Sequence, residues 1–288
     1  MNAHALEVLE YAEALAHVST FAGSEVGAAA VRDLRPVADI DAIRDSLVLV
    51  GEGLTLLARH GWTMPHIPDL SLALPSLSVE GSAWEGETLR LAAVGIASSR
   101  AVRRSVLPLA EEFPGVSGLA ADLGEFSGLQ EQIERAIAED GAVRDGASPE
   151  LARLRREMHG ARARIVARLT EFAASLPQHL QVLDASVGIR DGRYVIPVRR
   201  DGRTEVGGIV HGESQTGATL FVEPPVAIEM MNRLREMEAA EAREVLRILR
   251  ELTALLRPYA ADLARTLDRL TKLDTIYARA RYAAAAGG

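Results

Sequence analysis

The chain has 288 residues, of which 48% are hydrophobic and 25% charged, a composition typical of a globular protein with one or two hydrophobic cores. Cysteine is absent, which excludes disulfides and thiolate metal sites and favours the cytoplasm, and no apolar run has the length of a membrane span. The formal net charge of −8 argues against a protein whose whole surface coats nucleic acid.

The first half of the chain has the apolar periodicity of helices. Apolar residues recur at helical spacing in residues 3–16, 40–60, 89–109 and 119–137. Between the second and third of these segments, residues 61–86 contain three prolines and favour an irregular connection. The sequence therefore predicts a helical body in this half.

A long amphipathic helix is predicted to begin at Pro149. Ser148 is a suitable N-cap, proline suits the first helical position, and Glu150 complements the positive end of the helix dipole. The pattern continues for about 30 residues, or about 45 Å. Its apolar positions are three or four residues apart, as in the seam of a coiled coil. They are Leu151, Leu154, Met158, Ala161, Ile165, Leu169, Phe172 and Leu176.

The pattern then changes to the alternation of β-strands. It is clearest in residues 193–198, and two further short β-like runs occupy 207–212 and 218–222, with glycine-containing turns between them. The sequence predicts a small β-rich module of about three strands within about 186–224. In this module Pro197 suits an edge strand better than a central one.

Two more helices are predicted after this module. The first begins after Pro225 and ends or kinks near Pro258, and the second covers about 260–284. The long helices on either side of the module each have one apolar stripe, so we expect them to pair antiparallel. The predicted fold is mainly α, a helical core with a long antiparallel helical stalk tipped by a small β-rich clamp module.

This fold predicts three segments along the chain. Residues 1–147 form the first part of the helical core. Residues 148–258 form the lever helices with the β-rich clamp at about 186–224. Residues 259–288 return to the core as a last helix.

The sequence contains no catalytic motif. The phosphate loop G-x-x-x-x-G-K-[ST] and the zinc motif H-E-x-x-H are absent, and the seven histidines include no close pair with metal-ligand spacing. His211 is interpreted as an ordinary turn histidine, with a catalytic base as the alternative. The sequence therefore predicts no catalytic, cofactor-binding or metal-binding residues in this chain.

Charge is distributed unevenly along the chain. The segment from Arg144 to Arg203 has twelve arginines and seven acidic residues, a balance of +5, so the remaining residues sum to −13. A locally basic segment on an acidic chain is the pattern of a restricted contact with an anion. A set of solvated helix faces would give the same pattern.

The residues of the β-rich module and its flanks resemble a known family. They include the run from Arg190 to Arg199, then Gly208-Ile209-Val210-His211, Ser214, the run from Thr216 to Pro224, and Asn232-Arg233-Leu234-Arg235-Glu236. This order resembles the clamp region of the second bacterial MutS paralogue family, the branch without mismatch-recognition domains. The run from Asp145 to Leu151, Leu273-Asp274 and Ala278-Arg279-Ala280 are similar to it too, so the likeness covers essentially the whole chain.

The resemblance implies a longer parent protein. Members of this family continue into an ATPase with a phosphate loop and usually end in a small nuclease-like Smr domain. This chain is therefore expected to be a piece that holds the core, lever and clamp and lacks both the ATPase and the Smr domain. The implied parent is a cytoplasmic homodimeric ATP hydrolase that uses ATP and Mg²⁺ outside this chain, with an endonuclease activity as a further option.

For function, the resemblance implies a clamp that embraces nucleic acid without a membrane partner. The target is either branched DNA, in recombination suppression and DNA repair, or ribosomal RNA, in the rescue of stalled ribosomes. The expected contact residues are Arg190, Arg193, Arg199, Arg200 and Arg203. Alternatively, these arginines pair with Asp191 and Asp201, or the chain is a purely structural lever or dimerisation module without nucleic-acid contact.

Overall fold

The computed structural model describes residues 3–182 and 186–287, and it confirms a mainly helical chain with one small antiparallel sheet. Parts of the predicted core and lever segments, residues 1–2, 183–185 and 288, lie outside the described residues. The helices are α1 (Ala3–Val8), α2 (Tyr11–Ser19), α3 (Glu25–Arg32), α4 (Ile40–His60), α5 (Gly86–Val106), α6 (Pro114–Ala121), α7 (Leu129–Ala136), α8 (Pro149–Ser175), α9 (Arg203–Val206), α10 (Pro225–Leu256) and α11 (Ala260–Ala286). The strands are β1 (Gly188–Arg190), β2 (Arg193–Arg199), β3 (Ile209–Glu213) and β4 (Thr219–Glu223).

The chain divides into two compact units. Met1–Arg144 and Leu249–Gly288 form the first unit, and Asp145–Ile248 forms the second. The assignment of core, lever and clamp roles to segments of the chain stays a prediction.

Two of the helices predicted in the first half are broken in the structure. The segment 3–16 divides into α1 and α2 at Glu10, which has a left-handed backbone with φ of 49°. The segment 119–137 divides into α6 and α7, and Gly128, with φ of 77°, precedes the second of them. Apolar periodicity continues across both breaks, so spacing alone did not indicate them.

The core of the first unit forms around α11. This helix packs against α3 and α4, and its Tyr277 meets Trp62 edge to face with ring centroids 5.2 Å apart. The buried cluster also contains Leu56, Ile67, Val102, Phe113, Val116, Leu270 and Leu273. Residues from the two ends of the sequence therefore share one apolar core.

A buried carboxylate ties α11 to the start of α3. Asp274 is fully buried and accepts hydrogen bonds from the Gly23 backbone N–H and the Ser24 hydroxyl, both at 2.7 Å. Ser24 Oγ in turn accepts from the Gly27 backbone N–H and so caps α3. Burial raises the pKa of Asp274 above its usual 3.8, because desolvation outweighs the hydrogen bonds that favour the ionised form.

The raised pKa of Asp274 predicts a pH dependence of stability. The folded-state pKa lies above the unfolded value of 3.8, so this group's contribution to stability is complete below that pH. It is lost as the pH rises through the folded-state pKa. Over that pH range the parent chain should lose unfolding free energy relative to the Asp274→Asn variant, because the asparagine does not titrate. Urea denaturation at a series of pH values measures this difference, and a constant difference would contradict the prediction.

The second unit contains the predicted long helix and its antiparallel partner. Ser148 Oγ accepts from the Leu151 backbone N–H and caps α8 as expected. Side chains of α8 and its cap meet α10 in reverse order along the chain. The pairs are Ser148–Glu244 at 2.6 Å, Arg155–Glu241 at 2.8 Å and Arg162–Glu238 at 3.0 Å. The acidic positions of α10 thus contact α8, and the apolar seam from Leu151 to Leu169 is buried.

The β-rich module is a four-stranded antiparallel sheet with the order β1-β2-β4-β3. The sequence predicted about three strands and missed the short β1. It also favoured an edge position for Pro197, whereas β2 is a central strand. The last residue of β2 that pairs with β1 is Val195, opposite Gly188, so Pro197 has no partner on that strand. A proline without a donor N–H is tolerated at such a position.

Candidate nucleic-acid interface

One face of the sheet is apolar and packs against helices, and the opposite face carries several arginines. The apolar face packs into the core of the second unit with side chains of α8 and α10. Its residues are Tyr194, Ile196, Val198, Val210, Leu220 and Val222. Because successive side chains of a strand point to opposite sides, the residues between these form the other face, which we call the outer face.

The register of the strands brings the predicted arginines of β1 and β2 onto the outer face. Arg190 is directly opposite Arg193, and Arg199 is directly opposite Thr219. The guanidinium of Arg190 lies 4.5 Å from the centre of the Phe221 ring, a cation–π contact. The structure thus places Arg190, Arg193 and Arg199 on one surface.

Arg193 is bound to a buried carboxylate. Its Nη1 donates to Glu223 Oε1 at 3.2 Å and to Asn232 Oδ1 at 3.1 Å. Only 1% of the Glu223 side chain is exposed, and its Oε2 lies 2.7 Å from His211 Nε2. His211 therefore lies within β3 and contacts Glu223, which corrects the interpretation of an ordinary turn histidine.

The remaining predicted arginines follow β2, in the turn that leads to β3. Arg200 forms an ion pair with Glu213 and donates through Nε to the Gly217 carbonyl. Arg203 is exposed at the start of α9. Within residues 3–182 and 186–287, no carboxylate lies within ion-pair distance of Arg190, Arg199 or Arg203. Arg193 pairs with Glu223 and Arg200 with Glu213, so these arginines have carboxylate partners other than Asp191 and Asp201, which the alternative interpretation named.

The turn between β1 and β2 is fixed by α10. Asp191 and Gly192 have positive φ values of 49° and 70°, as a tight hairpin requires. Arg235 Nη2 donates to the carbonyls of both residues, at 3.2 and 3.1 Å. This contact holds the hairpin that carries Arg190 and Arg193 against the helix.

Much of the positive charge on α8 is neutralised within the second unit. Arg155 pairs with Asp145 and Glu241, Arg153 with Glu150 and Glu157, Arg162 with Glu238, and Arg168 with Glu171. The balance of +5 between residues 144 and 203 therefore overstates the charge available to an anion. Among the described arginines between residues 144 and 203, those without a carboxylate at ion-pair distance include Arg156 and Arg164 of α8 as well as Arg190, Arg199 and Arg203 of the β-rich module.

Sequence reasoning missed several residues of this surface. Phe221, Glu223 and Asn232 belong to the motif runs, but nothing in the sequence indicates the register between β2 and β4 that brings Glu223 to Arg193. In the described part of the chain, no group of three or more acidic or histidine side chains could hold a metal ion. Nor is any described helix both long and apolar enough for a bilayer.

No family model matches the chain. Comparison with curated proteins finds Endonuclease MutS2 of Gemmatimonas aurantiaca at 43% identity over 287 residues, which is 98% of this chain and 35% of that protein. Endonuclease MutS2 of Geobacillus thermodenitrificans is 34% identical and that of Thermomicrobium roseum 33%, each over 98% of this chain and 36% of the relative. The chain thus spans about 35% of the length of the curated relatives it matches.

The similarity to these relatives over 98% of the chain makes it a region of a MutS-like protein. Within that class the chain belongs to the MutS2 family, as a region of about a third of its relatives' length. The resemblance inferred from the motif runs is confirmed.

Proposed function

We propose that this MutS2 region is a clamp that contacts nucleic-acid phosphates through the outer face and the turn that follows β2. The single observation that carries the proposal is the set of three exposed arginines, Arg190, Arg199 and Arg203, without a carboxylate neighbour among the described residues. Arginines that are not neutralised within the protein are available to bind phosphate groups, which are strong bidentate acceptors. Such contacts position a protein on nucleic acid and do not read base sequence.

In this proposal the chain binds and does not catalyse. The target is branched DNA, in recombination suppression, or ribosomal RNA, in the rescue of stalled ribosomes. The relatives carry the name endonuclease, and we propose that the parent protein is a cytoplasmic homodimer whose ATP and Mg²⁺ bind outside this region. Closure of two copies around one target would raise the effective concentration of the second clamp.

Replacing Arg199 and Arg203 together with Ala is expected to weaken nucleic-acid binding and its salt dependence. Each lost phosphate contact should lower the slope of log K against log salt by about 0.9 on duplex DNA and about 0.7 on single strands. Fluorescence anisotropy with labelled duplex, branched DNA and RNA, between about 50 and 200 mM salt, measures the slope.

The matched control replaces Arg35 and Arg104, two exposed arginines of the first unit, with Ala. It removes the same charge from the chain and should leave the slope unchanged. Equal slopes for the parent chain and the Arg199/Arg203 variant would contradict the proposal.

The second candidate function is a lever that transmits movement without touching nucleic acid. The buried seam of α8 and its ion pairs to α10 favour this function, because they make a stiff helical pair. An unchanged salt slope in the Arg199/Arg203 variant, together with normal folding, would favour the lever.

A further inference from the structure

Glu223 is a buried charge with two basic neighbours. Its side chain is 1% exposed, and each carboxylate oxygen faces a different partner: Arg193 on Oε1 and His211 on Oε2. A buried carboxylate is costly unless it is paired and hydrogen-bonded. This arrangement fixes the carboxylate, and the fixed carboxylate in turn restricts Arg193.

The contacts of Arg193 occupy one end of its guanidinium group. Nη1 has two N–H groups, and its two acceptors are Glu223 and Asn232. Nε and Nη2 have no hydrogen-bond partner among the described residues, and 26% of the side chain is exposed. The edge formed by Nε and Nη2 is one that carboxylates and phosphates accept in a bidentate geometry.

We infer that Glu223 is a positioning residue that holds Arg193 with its Nε–Nη2 edge ready for a backbone phosphate. This inference rests on the proposed nucleic-acid contact and specifies that Arg193 is held in its binding conformation before nucleic acid binds. An unrestrained arginine loses rotamer freedom when it binds, whereas Arg193 has already lost it in the folded chain. His211 supports the arrangement, because its bond to Oε2 prevents the carboxylate from turning away from Arg193.

The direction in which one substitution changes the affinity for nucleic acid distinguishes a positioning role from simple electrostatic attraction. Glu223→Gln removes a negative charge from a cationic surface, so a charge-only view expects tighter binding of nucleic acid. The positioning role expects weaker binding, because a neutral amide holds the guanidinium less firmly than a carboxylate does. Few substitutions that make a surface more positive are expected to reduce its affinity for an anion.

The test is a binding titration of the chain with labelled branched DNA and RNA, for Glu223→Gln, Arg193→Ala and the double variant. We expect about tenfold weaker binding for each single variant, with little further loss in the double variant, because both remove the same contact. The salt slope should fall by about one phosphate contact. Unchanged or tighter binding by Glu223→Gln would overturn the inference.

Two further measurements test the positioning role even if Glu223→Gln does not fold. Asn232→Ala removes the exposed partner of Nη1 and leaves the buried charge pair intact, so it should weaken binding in the same direction even if Glu223→Gln unfolds. If Asn232→Ala also leaves binding unchanged, the positioning role is wrong. A loss in the Arg199/Arg203 variant without a loss in Arg193→Ala would retain the proposed function and overturn the positioning role. Absence of binding by the parent chain would overturn both.

Discussion

Replacing Ile165 with Asp is expected to lower the unfolding free energy of the second unit by about 4 kcal/mol or more. Ile165 has no exposed surface and belongs to the core cluster shared by α8, α10 and the sheet. The substitution removes apolar contacts, leaves a gap, and places a carboxyl group where it must protonate or admit water. Loss of this much free energy is comparable to the total stability of many domains.

Val166→Asp is the matched control for this prediction. Val166 is the next residue of α8 and is 39% exposed, so its aspartate remains hydrated and should change stability by no more than about 0.5 kcal/mol. Urea denaturation followed by circular dichroism reports both units. Tryptophan fluorescence reports the first unit alone, because Trp62 and Trp84 both belong to it. Similar transitions for both variants would mean that α8 is not packed along this seam.

The buried seam of α8 could be predicted because the apolar periodicity of a long helix alone determines which of its residues are buried. Residues from Leu151 to Leu169 at spacings of three and four are buried, as the apolar periodicity requires. The cap at Ser148 could be predicted for the same reason, since it depends on residues only three positions apart. Local rules suffice where an element is long and amphipathic.

The carboxylate partners of Arg193 and Arg200 could not be predicted from the sequence. The contact of Arg193 with Glu223 joins residues 30 positions apart and depends on the pairing of β2 with β4. A shift of one residue in that register would move Glu223 to the apolar face. The alternative interpretation therefore named the nearby Asp191 and Asp201 as partners, whereas the structure pairs these arginines with Glu213 and Glu223.

The helix α3 was missed because it is only eight residues long and its buried face consists of Gly27, Ala28 and Val31, whose small side chains give a weak apolar pattern. Its small residues allow a close approach to α11, against which it packs. Ser24 caps it and also donates to Asp274, a residue 250 positions away. The position most sensitive to this approach is Gly27, which lies one turn from the cap.

Gly27→Ala is expected to destabilise the first unit by about 3 kcal/mol, although alanine has a higher helix propensity than glycine. Alanine is favoured over glycine inside a helix by about 1 kcal/mol, so propensity alone predicts stabilisation. A Cβ at this position would overlap the Asp274 carboxylate and lie 2.5 Å from its Cγ. Asp274 has no room to move without losing its bonds to Gly23 and Ser24, so α3 must separate from α11.

Gly51→Ala is the control for Gly27→Ala, because Gly51 also lies inside a helix and a Cβ there would meet nothing within 4 Å. It should stabilise the chain by about 0.5–1 kcal/mol. Tryptophan fluorescence during urea denaturation measures both changes, since Trp62 lies in the same unit. Combining Gly27→Ala with Asp274→Ala removes the overlap, so the double variant should lose less than the sum of the two single losses. Stabilisation by Gly27→Ala equal to that of Gly51→Ala would mean that α3 does not approach α11 this closely.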